Sequence, residues 1–548
     1  MDKRKLIWRI LQYLLPYRIC ILLAVSCFSI SGLISFCIPL VNQKLIDFGF
    51  LELDFYYILK LATLLLFLYI INESLYYIKQ RIRVYIYKRL RVRLFSEYCQ
   101  HLMHVPFPYL WSLERAEFSN NLNMDIDNML LVADEGIVFI GSQIFAIVGG
   151  IVGLWIIDPR LFVVFVVFIP LKVMVLCYLS NRRENAITEY LKRMGRQTGM
   201  VSEMISGMDV IRVFGLQDRI WGKTKEEIAY SSKLREQAEM VSQENLMADS
   251  ILVHFLTYGI YIIGGFLVFS MELSVGSVFA FVTYGAYLSA PISTILNTRY
   301  IFAGIFPSAE RYFRFIDLEG ELAGNIKIEG DISDIRFHKV GFSYNKSWKL
   351  RDISFEIQKG DKFVIVGENG TGKTTLLNLI LRCVNPTHGE ISLDGRAIQE
   401  YDIVSYRELF SVVSQDVFLF DGTIRENICL DRILSETELY RIVQASGLES
   451  FVHQVSLDYR VGDNGKYLSG GQRQKIALAR ALVYNRPIVI FDELTAHIDS
   501  ISNSMMEGLL QDVLFDKTVI YVTHTKEHLK FASKIYNISK NKTDCLMI

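Results

Sequence analysis

Proline is scarce in this chain, 10 in 548 residues, and glycine reaches only 35. Collagen-like and low-complexity architectures are thereby excluded. Cysteine is present 8 times, but no CxxC or CxxxH spacing occurs. Neither a zinc site nor a disulfide framework is indicated, and the cysteines read as small hydrophobes in a reducing compartment. Net charge is missing altogether, with 58 basic against 58 acidic side chains. That removes the electrostatic footprint of a nucleic-acid binder. Polarity is short as well: 51% of residues are hydrophobic and 21% charged, and the mean hydropathy is +0.28. Such a chain is neither disordered nor wholly water-facing, so membrane insertion is the first thing to test.

Six apolar runs answer that test, all in the first 300 residues. They are residues 21–40, Phe55 to Ile71 with Lys60 inside, Gly136 to Ile157, Leu161 to Asn181 interrupted by Lys172, Ser250 to Met271, and Leu273 to Thr298. At helical rise, runs of about 20 residues cross a hydrocarbon core of about 30 Å. The first is too long for a signal peptide, no small-residue cleavage pattern follows it, and five more runs come after. Lysines and arginines crowd the segment before the first run and the long connections after the second and fourth; the other connections are short. The positive-inside bias puts that basic side, and with it both termini, in the cytoplasm. The long connections, 76–105 and 183–245, read as helices continuing out of the membrane.

Beyond Asp317 the apolar runs shrink to 4–8 residues rich in Val and Ile and separated by Gly, Asp and Asn, the pattern of an α/β domain. The strand-like Lys362–Val366 runs into Gly367, Glu368, Asn369, Gly370, Thr371, Gly372, Lys373, Thr374 and Thr375, a GxxxxGKT phosphate-binding loop in its strand-to-helix setting. Glycines let the backbone N–H groups wrap phosphates and the following helix points its positive end there. Lys373 neutralises the β and γ phosphates of ATP, and the Thr374 hydroxyl suits Mg²⁺. A second apolar strand, Ile488–Phe491, ends in Asp492 and Glu493. One carboxylate suits the metal and the next suits polarising the attacking water.

Between these motifs stands Leu468, Ser469, Gly470, Gly471, Gln472. This pentapeptide resembles the signature of the ABC ATPases, and nearly the whole chain resembles an ABC exporter half-transporter. The resemblance implies a fold: an α-helical polytopic membrane domain of six transmembrane helices, residues 1–317, followed by an α/β P-loop ABC ATPase domain, residues 318–548. It also implies roles. Tyr344 corresponds to the aromatic that stacks on adenine, Gln415 to the loop glutamine that senses Mg²⁺, and His524 to the histidine at the γ-phosphate. Ser469 and Gly471 would bind an ATP held by a second half-transporter, so a dimer is the minimum unit; a homodimer is the first expectation and a heterodimer the alternative. Leu419–Ile428 is typical of exporter members, Val461–Gly465 resembles the loop facing the coupling helices with Asp463 in place of Glu, and Glu203–Gly215 resembles the second coupling segment. Pro108 to Asp125 resembles the first, with Ala116 and Asn121 where Gly and Arg are usual, and Leu494–Asp499 also departs from the family pattern although Asp499 is kept.

The functional expectation is an ATP-hydrolysing, multi-pass translocase of the cell membrane that exports a peptide, a lipid or an amphipathic small molecule by alternating access. A channel-like or regulatory ATP-dependent protein, and an importer on the same fold, are the alternatives. No cysteine-protease motif precedes the first run, so a peptide cargo would arrive without its leader being cut here. Lys172 falls near the bilayer middle, where an ammonium faces a wet cavity, pairs with an acid, or snorkels towards the cytoplasm. Glu73 is expected to pair with a nearby base, and His254 to pack as a satisfied polar group, with contact to the cargo as the alternative. Tyr258, Tyr261, Tyr284 and Tyr287 are candidates for packing, for anchoring at the interface or for lining a cavity.

Overall fold

The computed structural model describes residues 3–113, 115–131, 137–297, 299–344, 347–492, 508, 513–523, 532–539 and 542–545. The chain divides into two compact units, Met1–Met103 with Glu114–Leu318, and His104–Leu113 with Glu319–Ile548.

The first unit is helical. Its elements are α1 (Lys3–Leu14), α2 (Arg18–Lys44), α3 (Phe55–Leu102), α5 (Arg115–Leu131), α6 (Ile137–Ile157), α7 (Pro159–Ser206), α8 (Met208–Val213), α9 (Gln217–Phe269), α10 (Val275–Asn297) and α11 (Arg299–Ile316); α4 (Phe107–Trp111) belongs to the second unit. The six apolar runs fall on α2, α3, α6, α7, α9 and α10. Among the described residues five helices are long and apolar enough to cross a membrane, and α6 adds the shorter apolar stretch Gln143–Ile157. At 1.5 Å per residue the 48-residue α3 and α7 and the 53-residue α9 run roughly 70–80 Å. They therefore extend well past a hydrocarbon core of about 30 Å, as their charged second halves require. The helix expected over 183–245 is broken once. α7 stops at Ser206, Gly207 caps it, the short α8 follows, and Gly215 at φ +64° turns the chain into α9. Glycine suits the second turn, because at Gly215 the chain is left-handed, whereas Gly207 ends α7 at an ordinary negative φ of −97°.

Polar caps fix the ends of these helices. Asp54 caps α3, accepting from the Tyr57 N–H at 3.1 Å. Asp158 accepts from the Arg160 and Leu161 N–H groups at 2.7 and 3.2 Å, with Pro159 preset for the first helical position. Asp47 holds the start of α10, accepting from Ser274 Oγ at 2.6 Å and from the Gly276 N–H at 2.8 Å. A Cβ at Gly276 would lie 2.4 Å from the Gln43 carbonyl oxygen, so only glycine admits this approach. The core joins α6, α7, α9 and α10 through Leu154, Leu161, Phe165, Leu256, Ile260, Phe281 and Leu288.

The second unit is α/β. Its strands are β1 (Asp334–Tyr344), β2 (Ser347–Gln358), β3 (Lys362–Val366), β4 (His388–Leu393), β5 (Arg396–Ala397), β6 (Phe410–Val413), β7 (Ile488–Asp492), β8 (Thr518–Thr523), β9 (Lys534–Asn537) and β10 (Lys542–Cys545). The helices are α12 (Lys373–Ile380), α13 (Ile403–Arg407), α14 (Ile424–Cys429), α15 (Glu436–Ala445), α16 (Glu449–Val455) and α17 (Gly470–Tyr484). An antiparallel sheet runs β2-β1-β4-β5 and a larger sheet runs β10-β9-β3-β8-β7-β6, parallel except for β10. The parallel strands are buried on both faces, which is why they read as unbroken Val/Ile runs. α17 packs Ala477, Leu478 and Ala481 toward the larger sheet, and Ile476, Ala479 and Val483 toward a helical layer of α14, α15 and α16.

Candidate ATP site and membrane cavity

The ATP-site candidates gather at one sheet edge. In parallel β3, β8, β7 and β6 every carboxyl end points the same way. The phosphate loop leaves β3, Asp492 closes β7, and Gln415 follows β6 by two residues. With strands about 4.8 Å apart, Asp492 stands two strands and Gln415 three strands from the loop, the crevice where α/β sheets bind ligands.

The loop itself is built by glycine. Gly370 has φ +84° and Gly372 φ +106°. A Cβ on Gly372 would meet Leu350 Cδ2 at 2.7 Å. α12 starts directly after it with buried Lys373 and Thr375, while Thr374 is exposed. Lys373 Nζ donates to the Gly367 carbonyl at 2.9 Å, closing the loop around the space its backbone N–H groups face. Thr371 Oγ1 donates to the Glu368 carbonyl at 2.8 Å and stiffens the turn. Lys349 was not singled out by sequence: from β2 it donates to the Gly370 carbonyl at 2.9 Å, a second ammonium at the loop. Only its position next to an aromatic at the start of a strand could have hinted at this. Oxygen donors from Thr374, Asp492 and Gln415 at one edge fit a hard divalent cation. Past α12, burial pushes the Cys383 thiol up to about 11.

The signature segment forms a helix start. Ser469 caps α17 in a capping box: the Gln472 N–H donates to Ser469 Oγ at 3.2 Å, and the Ser469 N–H donates to Gln472 Oε1 at 2.8 Å. Ser469 is exposed and Gly470 and Gly471 carry no side chains to cover the helix end, so free N–H groups and the positive end of the dipole point outward. Tyr344 ends β1. Glu493, His497, Asp499 and His524 lie outside the described residues.

In the helical unit a cavity of about 580 Å³ is enclosed by α2, α3, α6 and α10. Tyr284 and Tyr287 line it, whereas Tyr258 and Tyr261 do not. Lys172 is buried, 2% exposed, and its Nζ pairs with Asp249 Oδ1 at 2.9 Å. It also donates to the Ser289 carbonyl at 3.1 Å and to Ser289 Oγ, and Ser293 Oγ donates to Asp249 at 2.8 Å. Of the three options for Lys172, pairing with an acid is the one found, and it ties α7 to α9 and α10. Sequence could not name the acid, because Asp249 lies 77 residues away and just before its apolar run. Glu73 is exposed and has no ion-pair partner among the described residues, because it sits on the outer side of α3. His254 is exposed and stacks on Tyr258, with ring centroids 6.2 Å apart.

The family model described as ABC transporter transmembrane region matches residues 21–292, and the model described as ABC transporter matches residues 350–496. The chain is an ABC transporter. It is a half-transporter, one membrane domain fused to one ATPase domain, and it couples ATP hydrolysis to transport. An ATP-dependent lipid A-core flippase of Legionella pneumophila (strain Paris) is 27% identical over 543 residues, 97% of this chain and 91% of that protein. The uncharacterized ABC transporter ATP-binding protein YfiC of Bacillus subtilis (strain 168) is 26% identical over 541 residues, 97% and 90% of the two chains. The solved structure of a bacterial Atm1-family ABC exporter with ATP bound superposes with a TM-score of 0.83 at 20% identity, covering 95% of this chain and 94% of that one, a likeness of fold.

The two segments that resemble coupling segments take definite shape. In the first unit α8 exposes Val210, Val213 and Phe214, an apolar tip between two long helices. In the second unit the segment with α4 is held by the protein around it. The Glu321 N–H donates to the His104 carbonyl at 2.9 Å, and the Arg407 guanidinium lies 5.0 Å from the Phe107 ring centroid. Arg407 is itself fixed by two 2.7 Å hydrogen bonds to the Glu321 carboxylate. The departures Ala116 and Asn121 fall on α5.

Proposed function

We propose that this transporter is an exporter of amphipathic cargo, working as a dimer whose two ATP sites each combine the phosphate loop of one chain with the signature helix of the other. The observation that supports the reading is that this chain carries two separate features suited to binding anions. The loop 367–375 with Asp492 and Gln415 marks one edge of the sheet, and the open N-terminus of α17 presents a second anion-binding end. Residues 1–317 form the membrane domain and 318–548 the nucleotide-binding domain, in the cell membrane with both termini cytoplasmic.

Each residue then has a task. Tyr344 stacks on adenine, the N–H groups from Gly367, Asn369, Gly370, Thr371 and Gly372 wrap the phosphates, and Lys373 releases the Gly367 carbonyl to neutralise them, with Thr375 buried beneath. Thr374, Gln415 and Asp492 would hold Mg²⁺, which would screen the phosphate charge. Glu493 orients and polarises the attacking water, and His524 steadies the γ-phosphate. Ser469, Gly470, Gly471 and Gln472 close over the nucleotide of the partner. Binding closes the dimer and turns the helices outward; hydrolysis and release reset them.

The relatives named as lipid flippases support a lipid-like cargo, and the cavity, mostly apolar with a few polar groups, supports the same class. The test uses the purified chain alone in proteoliposomes and inverted vesicles. ATP-dependent accumulation of a labelled lipid inside inverted vesicles, with steady ATP hydrolysis, is expected of a homodimeric exporter. Hydrolysis only after adding a second half-transporter would overturn the homodimer, and movement in the opposite sense would favour an importer.

A further inference from the structure

Two ammonium groups hold the phosphate loop. Lys373, from within the motif, donates to the Gly367 carbonyl, and Lys349, from β2, donates to the Gly370 carbonyl, each at 2.9 Å. Only the first is explained by the loop motif itself.

Lys349 is aimed by its strand. Along the β1–β2 ladder Phe342 stands opposite Leu350 and Ser343 opposite Trp348, so Lys349 is the extra residue of a β-bulge. A bulged residue leaves the ladder, and its side chain is turned off the strand's alternating pattern. Both of its neighbours are clamped. Trp348 stacks on His388 with ring centroids 6.0 Å apart, and it packs so closely on Gly341 that a Cβ there would come within 2.8 Å of the indole ring. Leu350 is buried and fills the space beneath Gly372. The bulge is therefore fixed beside the loop.

Holding the loop does not use the charge. Lys349 and Gly370 are both exposed. A hydrogen bond between an exposed ammonium and an exposed carbonyl gains little over the bonds each makes to water, while ordering a long side chain costs entropy. Among the described residues no carboxylate pairs with Lys349. An ammonium without a counter-ion, at a loop shaped for phosphates, is placed to meet an anion.

Its position selects which phosphate. Tyr344 pairs with Ser347 at the end of the hairpin, and Lys349 follows two residues on, roughly 6–7 Å along the strand. With adenine on Tyr344 and the β and γ phosphates at Lys373, the ribose and α-phosphate cross the start of β2. Lys349 stands between the two ends of the nucleotide.

We propose that Lys349 is a nucleotide-binding residue that leaves the Gly370 carbonyl to pair with the α-phosphate, so that ATP and ADP are held alike by an ammonium outside the loop motif. The proposal rests on the ATP-site reading of residues 367–375 and adds a contact that does not depend on the γ-phosphate. Lys349 then governs how tightly nucleotide is held before and after hydrolysis, and not the hydrolytic step.

The experiment uses the purified full chain and measures equilibrium binding of radiolabelled ATP and ADP, with ATP hydrolysis alongside. Lys349→Met should raise the Kd for ATP and for ADP by the same factor, roughly tenfold, and raise KM with kcat within about twofold of the parent. Lys349→Arg keeps the charge and should bind within about threefold of the parent. Lys349→Gln keeps a donor for the Gly370 carbonyl but no charge, and should bind as weakly as Lys349→Met. Lys327→Gln, which removes an exposed charge before β1, should change nothing. Full binding by Lys349→Gln would reduce Lys349 to a strap on the loop and overturn the proposal. A loss confined to ATP would overturn its place at the α-phosphate, and a loss that arginine does not restore would overturn the role of charge. Lys373→Ala separates the two readings, because it should bind ATP far more weakly whatever Lys349 does. Normal binding by Lys349→Met beside weak binding by Lys373→Ala would remove this proposal alone; normal binding by both would overturn the ATP-site reading with it.

Discussion

Lys172→Met removes the ammonium that joins three membrane helices and leaves Asp249 with the hydrogen bond from Ser293 Oγ at 2.8 Å. Breaking one side of a buried ion pair costs about 3–5 kcal/mol, because the surviving charge keeps its desolvation penalty. The two partners are not equally exposed: Lys172 is 2% exposed and the Asp249 side chain 24%. Water can therefore relax a lone Asp249, so Lys172→Met should fall near the lower end, about 3 kcal/mol. Asp249→Asn strands the ammonium on the Ser289 oxygens and should cost more. At about 2–4 °C per kcal/mol for a large domain, the single variants should melt roughly 6–20 °C lower. The double variant Lys172→Met/Asp249→Leu removes both charges and should return to within about 1 kcal/mol of the parent. Thermal unfolding of the detergent-solubilised transporter, followed by the fraction remaining monodisperse after heating, reads all three. A double variant less stable than either single one would refute the reasoning, since the charges would then not be each other's compensation.

Gly372→Ala should abolish tight ATP binding, because it forces a Cβ to 2.7 Å from Leu350 at φ +106°; nucleotide binding measured by fluorescence of a labelled ATP would sink the idea if affinity stayed within about threefold of the parent. Glu493→Gln should bind ATP, lose most turnover and accumulate a closed dimer visible by cross-linking, and normal steady-state hydrolysis would remove Glu493 as the residue polarising the water. Cys383, with its thiol pushed by burial up to about 11, should react with maleimide at pH 8 roughly a hundredfold more slowly than an ordinary thiol near 8.5. Because the folded value lies above the unfolded one, its contribution to stability is full below about pH 8.5 and is lost as pH rises towards 11. Labelling as fast as in the denatured chain at pH 8 would contradict that.

Much of the fold was legible because its causes are local. The six apolar runs are set by the solvent they must face, and the phosphate loop by a glycine spacing whose backbone geometry no other residue tolerates. The capping box Ser469–Gln472 and the Asp158–Pro159 start of α7 are likewise short-range. The break at Gly207 and Gly215 was harder to see, since a lone glycine in a polar helical pattern is compatible with both continuation and a turn.

Pairings across the fold had no such local signature. Lys172 announced a need for a partner, but whether that was water, an acid or the membrane surface depended on which helix lay beside α7. Only packing supplied Asp249 and Ser289. The same holds for Lys349 at the Gly370 carbonyl and for Arg407 beneath Phe107. The sequence by itself determined that the chain crosses a membrane and handles ATP, because hydropathy and loop geometry act over a few residues. The tertiary structure alone decided which charges meet, as Lys172 meets Asp249, because Coulomb and hydrogen-bond energies depend on distances that the order of residues does not contain.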